Sequence, residues 1–373
     1  MNLPLSLYVH FPWCVRKCPY CDFNSHPVRG AFDQAGYLNA LLIDAGAALR
    51  DVAPQGISSV FLGGGTPSLF DPDSFATLLT HLQPWLEPGA EITMEANPGT
   101  VEYQHFSAYR EAGISRISLG AQTFNPAHLK RLGRIHGPRE IRIAFERIRA
   151  GGFENVNLDL MYGLPDQTTA EAIEDLSQAL ALSPEHVSWY QLTIEPRTEF
   201  ARHKPPLPSE GEVEVMEDTG RALLEGNGFH RYEVSAWARP GRQCRHNVNY
   251  WSFGDYLGIG AGAHGKRTRE DSAGVQIVRT SKAAQPRLYL AEPLETRQSA
   301  VEDTEIPVEF LMNALRLRDG VSADIFSSRT GLPLATLEPA WNELREMGLM
   351  RKDRIATTAF GYRHLDAVLQ RFL

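Results

Sequence analysis

Apolar residues run along this chain in two rhythms. Short continuous or alternating runs rich in β-branched and aromatic residues occur at Leu5–His10, Ile57–Leu62, Glu91–Glu95, Ile114–Leu119, Asn155–Met161 and Val187–Ile194, and each predicts a buried strand. Between them, apolar positions recur at helical spacing over Tyr37–Arg50, Asp73–Leu82, Glu102–Glu111, Pro138–Ala150 and Thr169–Leu182, several opened by Asp, Thr or Pro. Strand and helix alternate, which argues for an α/β fold with a parallel sheet. Six units are fewer than the eight of a closed barrel, so the pattern fits an open doubly wound sheet or a partial (β/α)6 barrel.

The rhythm breaks at Lys204-Pro-Pro-Leu-Pro-Ser209, where prolines end the alternation. A helix near Glu210–Glu225 and a strand at Arg231–Ala236 follow; residues 237–265 are rich in Gly and aromatics, and 266–300 read as a polar, loop-rich connector. Helical spacing returns at Val308–Leu317, Ser322–Arg329 and Leu334–Met347, ahead of two strand-like pieces around Met350–Arg351 and Arg354–Thr358, which together read as a winged-helix-like α+β module. The expected division is a barrel over 1–236, an extension and connector over 237–300, and the C-terminal module over 301–373. The basic stretch Arg351-Lys352-Asp353-Arg354 is interleaved with acid, so a lid or docking role is expected of that module rather than DNA binding.

Composition narrows the function classes. In a chain of 373 residues, 43% hydrophobic and 22% charged residues are ordinary for a folded globular protein and exclude long disorder. A net charge of −8 gives no general attraction to phosphate backbones, so no nucleic-acid partner is expected. No run reaches the roughly 18 apolar residues of a membrane span. The start, Met-Asn-Leu-Pro-Leu-Ser-Leu, has neither a basic region nor a cleavage site, so the cytoplasm is expected.

Cysteine spacing changes the picture more. Cys14, Cys18 and Cys21 form C-x3-C-x2-C, while Cys244 lies far away. In a reducing compartment such a cluster speaks for metal or redox chemistry rather than disulfides. Paired C-x2-C zinc knuckles and single-pair redox motifs both use the triplet poorly, although a zinc site completed by a distant His or Cys244 competes. Three thiolates on a four-iron cube leave one iron open to a ligand.

In parallel barrels chemistry sits at the C-terminal ends of the strands, and here those ends are polar. Gly63-Gly64-Gly65-Thr66-Pro67, Glu95-Ala-Asn97, Arg116-Ile-Ser118-Leu-Gly120-Ala-Gln122 and Asn157-Leu-Asp159 all interrupt runs that should be apolar. Glycines let a ligand approach the backbone closely. A carboxylate inside a barrel costs several kcal/mol unless paired, so Glu95 and Asp159 are expected to face a polar ligand, with ion pairing to Arg116 or Arg134 as the competing reading.

Cys14-x3-Cys18-x-Tyr20-Cys21, with its aromatic before the last Cys, resembles the radical S-adenosylmethionine (SAM) superfamily. The resemblance implies the partial barrel, a [4Fe–4S] cluster on Cys14, Cys18 and Cys21, and SAM on its open iron. It implies further that Tyr8 and Tyr20 flank SAM, that Gly64, Gly65 and Thr66 hold its methionine end, and that Glu95, Gln122, Arg134 and Asp159 bind the rest. A reduced cluster would cleave SAM to a 5′-deoxyadenosyl radical.

Nearly the whole chain is similar to the oxygen-independent coproporphyrinogen III oxidase family. Phe23 stands where the oxidase branch has a fourth Cys, and the first strand begins at about Leu5 without that branch's long N-terminal extension. The haem-chaperone branch carries an H-N-x-x-Y motif, matched by His246-Asn-Val-Asn-Tyr250. Both residue types are known haem ligands, and four residues apart on a helix they would share a face. A hydrogen-bonded His in an Asn-rich turn is the bland alternative; Cys244 is a third possible ligand, with Trp251, Phe253 and Tyr256 as aromatic surface. The resemblance thus implies a protein that binds haem and passes it to acceptor haemoproteins, respiratory ones at the inner face of the membrane, with a possible homodimer. Oxidative decarboxylation of coproporphyrinogen III, or another radical transformation of a tetrapyrrole, is the alternative. Gly260-Ala-Gly-Ala-His-Gly265 spells a dinucleotide motif, but basic residues rather than a helix follow it.

Overall fold

The computed structural model describes residues 3–99, 106–271 and 274–373. Twelve strands form one sheet: β1 (Leu5–Phe11), β2 (Ile57–Gly64), β3 (Leu86–Ala96), β4 (Arg116–Gln122), β5 (Val156–Tyr162), β6 (His186–Gln191), β7 (His230–Glu233), β8 (Ala236–Ala238), β9 (Asp255–Ile259), β10 (His264–Asp271), β11 (Gly274–Ser281) and β12 (Arg297–Ala300). Strands β1 to β6 are parallel and follow one another in sequence order, as the apolar rhythm predicts, and they form the partial barrel that the family resemblance implies. Helices α1 (Gln34–Ala48), α2 (Pro72–Leu82), α3 (Phe106–Glu111), α4 (Pro126–Arg131), α5 (Pro138–Ala150) and α6 (Thr169–Ala181) connect them. The first four positions of the helix expected at Glu102–Glu111 lie outside the described residues.

Local chemistry sets these elements. In α5, Pro138 opens the first turn, Glu140 accepts from Gly137 N–H at 2.9 Å, and Ile141, Ala144, Phe145 and Ile148 bury one stripe against the sheet. Thr168 and Glu171 close a capping box on α6. Along β1, Leu5, Leu7, Val9 and Phe11 join the core beneath the helices, which turns Ser6, Tyr8 and His10 toward the concave face, the lumen.

The second half departs from the polar-connector reading. After α7 (Glu199–Arg202) and α8 (Glu210–Gly226), the single strand expected at Arg231–Ala236 divides into β7 and β8, with β8 antiparallel to β6 and β7 antiparallel to β8 at the sheet edge. At the other edge β9 adds to β1 in parallel, and β10, β11 and β12 extend it as an antiparallel ribbon, so 266–300 is built into the sheet, with α10 (Pro286–Ala291) packed on α1. The reason is compositional: a ribbon with one face in water carries Lys, Arg, Thr and Gln in alternation and lacks a continuous apolar run.

Between the two edges lies α9 (Arg245–Trp251), against β1, β2 and β9. The C-terminal module comprises α11 (Ile306–Ala314), α12 (Ala323–Thr330), α13 (Ala340–Glu346), α14 (Ala359–Arg363) and α15 (Leu365–Leu369). The expected helix at Leu334–Met347 breaks at Pro339 into a 3-10 turn and α13, and the wing is reduced to single bridges, Val321 with Ile355 and Met350 with Thr357. A second core joins this module to Tyr232, Ala236 and Ala238 at one sheet edge, Ile277 at the other, and Phe253 just past α9. The module therefore ties the two free edges together. Among the described residues no helix is long and apolar enough to cross a membrane.

Candidate functional site

A cavity of about 390 Å3 opens at the C-terminal ends of the parallel strands. It is lined by Cys14, Cys18 and Cys21 together with Tyr20, Gly64, Gly65, Thr66, Glu95, Gln122, Arg134 and Asp159, residues drawn from the four strands β2 to β5 and three loops. The cysteine loop leaves β1 and is folded by its own backbone: Cys21 N–H donates to Cys18 O at 3.1 Å and Val28 N–H to Cys14 O at 2.9 Å. All three thiols are free, and burial raises the pKa of Cys14 and of Cys21. Asn24 anchors the loop by donating to Ala261 O at 3.0 Å and Ala284 O at 2.8 Å.

His10 braces this rim. Its Nε2 lies 2.8 Å from Asn24 O, which can only accept, so the proton is on Nε2 and Nδ1 accepts from Tyr8 Oη at 2.9 Å. The same ring fills the space beside Gly64: a Cβ there would lie 2.5 Å from His10 Cε1, and Gly64 has φ +114°. A Cβ on Gly65 would lie 2.3 Å from Trp13 O. Both glycines are required by contact, and Gly64 by conformation as well.

The carboxyl groups are held, not ion-paired. Glu95 Oε2 accepts from Gly64 N–H at 3.0 Å; Asp159 accepts from Ser118 Oγ at 3.0 Å and Asn157 Nδ2 at 2.8 Å. Burial, reinforced by Asp159, pushes the Glu95 carboxyl up to about 8, and burial raises Asp159 also. Arg134 instead donates to Asn97 Oδ1 and Gly120 O, both at 2.6 Å, and reaches Cys18 Sγ at 3.7 Å. Arg116 lies deeper, fully buried. Among the described residues neither arginine makes a direct ion-pair contact with Glu95 or Asp159, although the Arg116 charge acts on Asp159 from below.

Gln122 follows a register shift between β4 and β5, has φ +64°, and turns a buried Oε1 without a hydrogen-bond partner into the cavity. Bulges and left-handed non-glycine residues of this kind occur where a side chain is re-aimed for a ligand. With Arg134 Nε also unpartnered, the cavity presents acceptor, donor and carboxyl groups awaiting a zwitterionic, cationic molecule. The lining is chemically suited to SAM, and three cysteines border the same cavity, although among the described residues no three His, Cys, Asp or Glu side chains converge as a formed metal site.

Tyr8 stands apart from this wall. Its ring stacks on Phe61 at 6.3 Å and its hydroxyl is engaged by His10, one layer below the cavity. Several cavity residues escaped the sequence reading: Arg16 and Lys17 between the cysteines, and Tyr190, Gln191, Thr193 and Glu195 at the end of β6. The polar tail of the sixth apolar run was the available signal.

The H-N-x-x-Y motif is elsewhere. Helix α9 lies across the lower lumen, where Arg245 N–H donates to Glu91 Oε1 and Asn249 Nδ2 to Ser6 Oγ, both at 2.9 Å. His246, 8% exposed, points up between Phe61 and Tyr8, with ring centroids at 5.2 and 6.3 Å, and its Nδ1 has no hydrogen-bond partner. Burial lowers its pKa to about 4. Tyr250 faces a different set, Trp251 at 4.7 Å and Tyr256 at 4.9 Å. Cys244 is 1% exposed and its thiol is pushed up to about 11 by burial, which closes it to any ligand from solvent. A porphyrin plate does not fit beside His246 in this arrangement, since aromatic rings occupy the space.

Comparison with known proteins places this geometry. Residues 8–179 match the Radical SAM superfamily and residues 301–359 the HemN C-terminal domain. Over 374 residues the chain is 45% identical to the heme chaperone HemW of Escherichia coli (strain K12), covering 99% of this chain and 98% of the relative. The chain belongs to the heme chaperone HemW family. It is also 48% identical over 335 residues to HemW of Haemophilus influenzae, covering 88% of this chain and 87% of the relative. HemW of Bacillus subtilis is 33% identical over 366 residues, with 94% of each chain covered. The E. coli coproporphyrinogen III oxidase HemN, described as a radical SAM enzyme, superposes with a TM-score of 0.80 over 100% of this chain and 90% of that one, at 23% identity. That likeness establishes a common fold.

Proposed function

We propose that this chain binds haem and hands it unaltered to acceptor haemoproteins, while carrying a [4Fe–4S] cluster and SAM in the upper cavity. The observation that carries the reading is 45 to 48% identity, over 88 to 99% of this chain, to curated heme chaperones. Two features of the chain agree with it: the complete His246 to Tyr250 motif, and Phe23, 59% exposed at the cavity mouth in place of a fourth thiol. Cys14, Cys18 and Cys21 would hold the cluster; Gly64, Gly65, Glu95, Gln122, Arg134 and Asp159 would hold SAM. When bound, the pair supplies one-electron chemistry. The residues orient the ligand; Glu95, which without ligand keeps its proton at neutral pH, would release it as a cationic ligand enters, so that the resulting carboxylate and Asp159 meet that charge where little water screens it. His246 and Tyr250 would ligate haem only after α9 moves.

The reading is tested by loading the cluster-bearing chain with haem, offering it apomyoglobin as an acceptor, and separately offering SAM with coproporphyrinogen III. A chaperone delivers haem of unchanged mass and leaves the porphyrinogen intact. Stoichiometric SAM consumption with conversion of the porphyrinogen would instead establish the oxidase.

A further inference from the structure

Helix α9 is gripped from two sides. Toward the barrel it is bonded through Arg245 and Asn249, and Asn249 Nδ2 also donates to Asp255 O at 2.9 Å. Toward the C-terminal module, Val248 and Trp251 pack on the second core, and the Arg316 guanidinium lies 4.2 Å from the centroid of Trp251. The Phe253 ring meets Phe310 edge-on at 5.3 Å, and Arg329 donates to Ser252 O. These module contacts gather on the second half of α9 and the residues just past it, whereas His246 lies in the first turn, facing Tyr8 and Phe61 in the lumen.

A haem iron must come within bonding distance of an imidazole nitrogen, and its macrocycle is wider than any side chain. Neighbouring rings at 5.2 and 6.3 Å leave no slot for it, so the seated helix and a haem-ligating His246 are mutually exclusive. We infer that the motif is latched: the C-terminal module, through Arg316 and Arg329, holds α9 in the lumen, and haem is taken up by the state in which that grip has released. The inference rests on the haem-binding reading above and adds its control. The contacts of the grip are a cation–π pair, one charge-assisted hydrogen bond and an aromatic edge, each of modest strength. A latch of this size leaves a minor open population, and the apparent affinity for haem is reduced by that fraction.

Cys244 reports the opening without haem. It caps the N-terminus of α9 and is 1% exposed, so alkylation requires the helix to leave its seat. The experiment treats the cluster-loaded full chain with iodoacetamide under anaerobic conditions and follows Cys244 by peptide mass spectrometry, in wild type and in Arg316→Met, Arg329→Met and the double variant. The expected result is roughly tenfold faster labelling in the double variant, with cluster absorption unchanged and haem association accelerated in parallel. Unchanged labelling overturns the latch, as does acceleration matched by hydrogen exchange throughout β1 to β6, which would signal general unfolding. Should the variants fail to fold, hydrogen exchange of the wild-type chain decides: saturating haem raises exchange over residues 251–255 if the grip must open, and leaves it unchanged if not. Faster Cys244 labelling without saturable haem binding in any form keeps the latch and removes the haem reading.

Discussion

Glu91 and Glu95 stand four residues apart on the same face of β3, and they teach what distinguishes the two halves of this lumen. Glu91, at the lower end, is consumed by structure: its carboxylate accepts the Arg245 N–H that seats α9. Glu95, at the upper end, holds only Gly64 N–H at 3.0 Å and borders an open cavity, where its proton affinity is raised to about 8. The same contrast repeats across β4, where Arg116 is buried below while Gln122 turns an unpartnered oxygen into the cavity above. A polar residue inside a barrel is therefore not itself a ligand group. Its position along the strand decides, because the loops leave space at one end and α9 fills the other.

Breaking the upper half should cost most. Cys18→Ala is expected to abolish cluster absorption after reconstitution while leaving thermal unfolding within a few degrees of wild type. Gly64→Ala drives a Cβ to 2.5 Å from His10 at a left-handed φ, and should destabilise the chain by on the order of 3 kcal/mol in denaturant titration, with loss of SAM binding. Glu95→Gln sharpens the contrast through pH. With a folded pKa of about 8 against an ordinary 4.5, the native carboxyl keeps a proton that the unfolded chain has released, so wild-type stability falls as pH rises through that window and levels off above it. Gln does not titrate, so the ligand-free variant should gain about 2 kcal/mol or more on wild type between pH 5 and pH 9, read from unfolding at both. Glu91→Gln gives the smallest effect: about 1 kcal/mol lost with the weakened Arg245 bond, and SAM binding unchanged.

What could be read in advance follows the same division. Parallel strands buried on both faces announce themselves as apolar runs, so β1 to β6 and the polar tips that form the cavity were legible, and the cysteine triplet needed only its spacing. The ribbon β9 to β12 was not, because Lys266, Thr268, Gln276 and Arg279 look like loop composition until a partner strand pairs with them. Tyr8 shows the limit of pattern: alternation says that it faces the lumen but not which neighbour takes its hydroxyl. Motif spacing put His246 and Tyr250 on one helix, yet nothing in it could show that Phe61 from β2 and Tyr8 from β1 would close over the imidazole. Such contacts join residues nearly two hundred or more positions apart and exist only once the sheet has curled.

The central claim is that His246, once α9 leaves its seat in the lower lumen, serves haem while the upper cavity serves the cluster and SAM. The most direct measurement is an anaerobic haem titration, followed by absorption, of cluster-loaded wild type beside His246→Ala. The account predicts saturable one-to-one binding in wild type and a weakened or shifted Soret band in the variant, with cluster absorption and SAM binding equal in both. Absence of saturable binding in wild type, or a variant that binds haem normally but loses SAM, would contradict it.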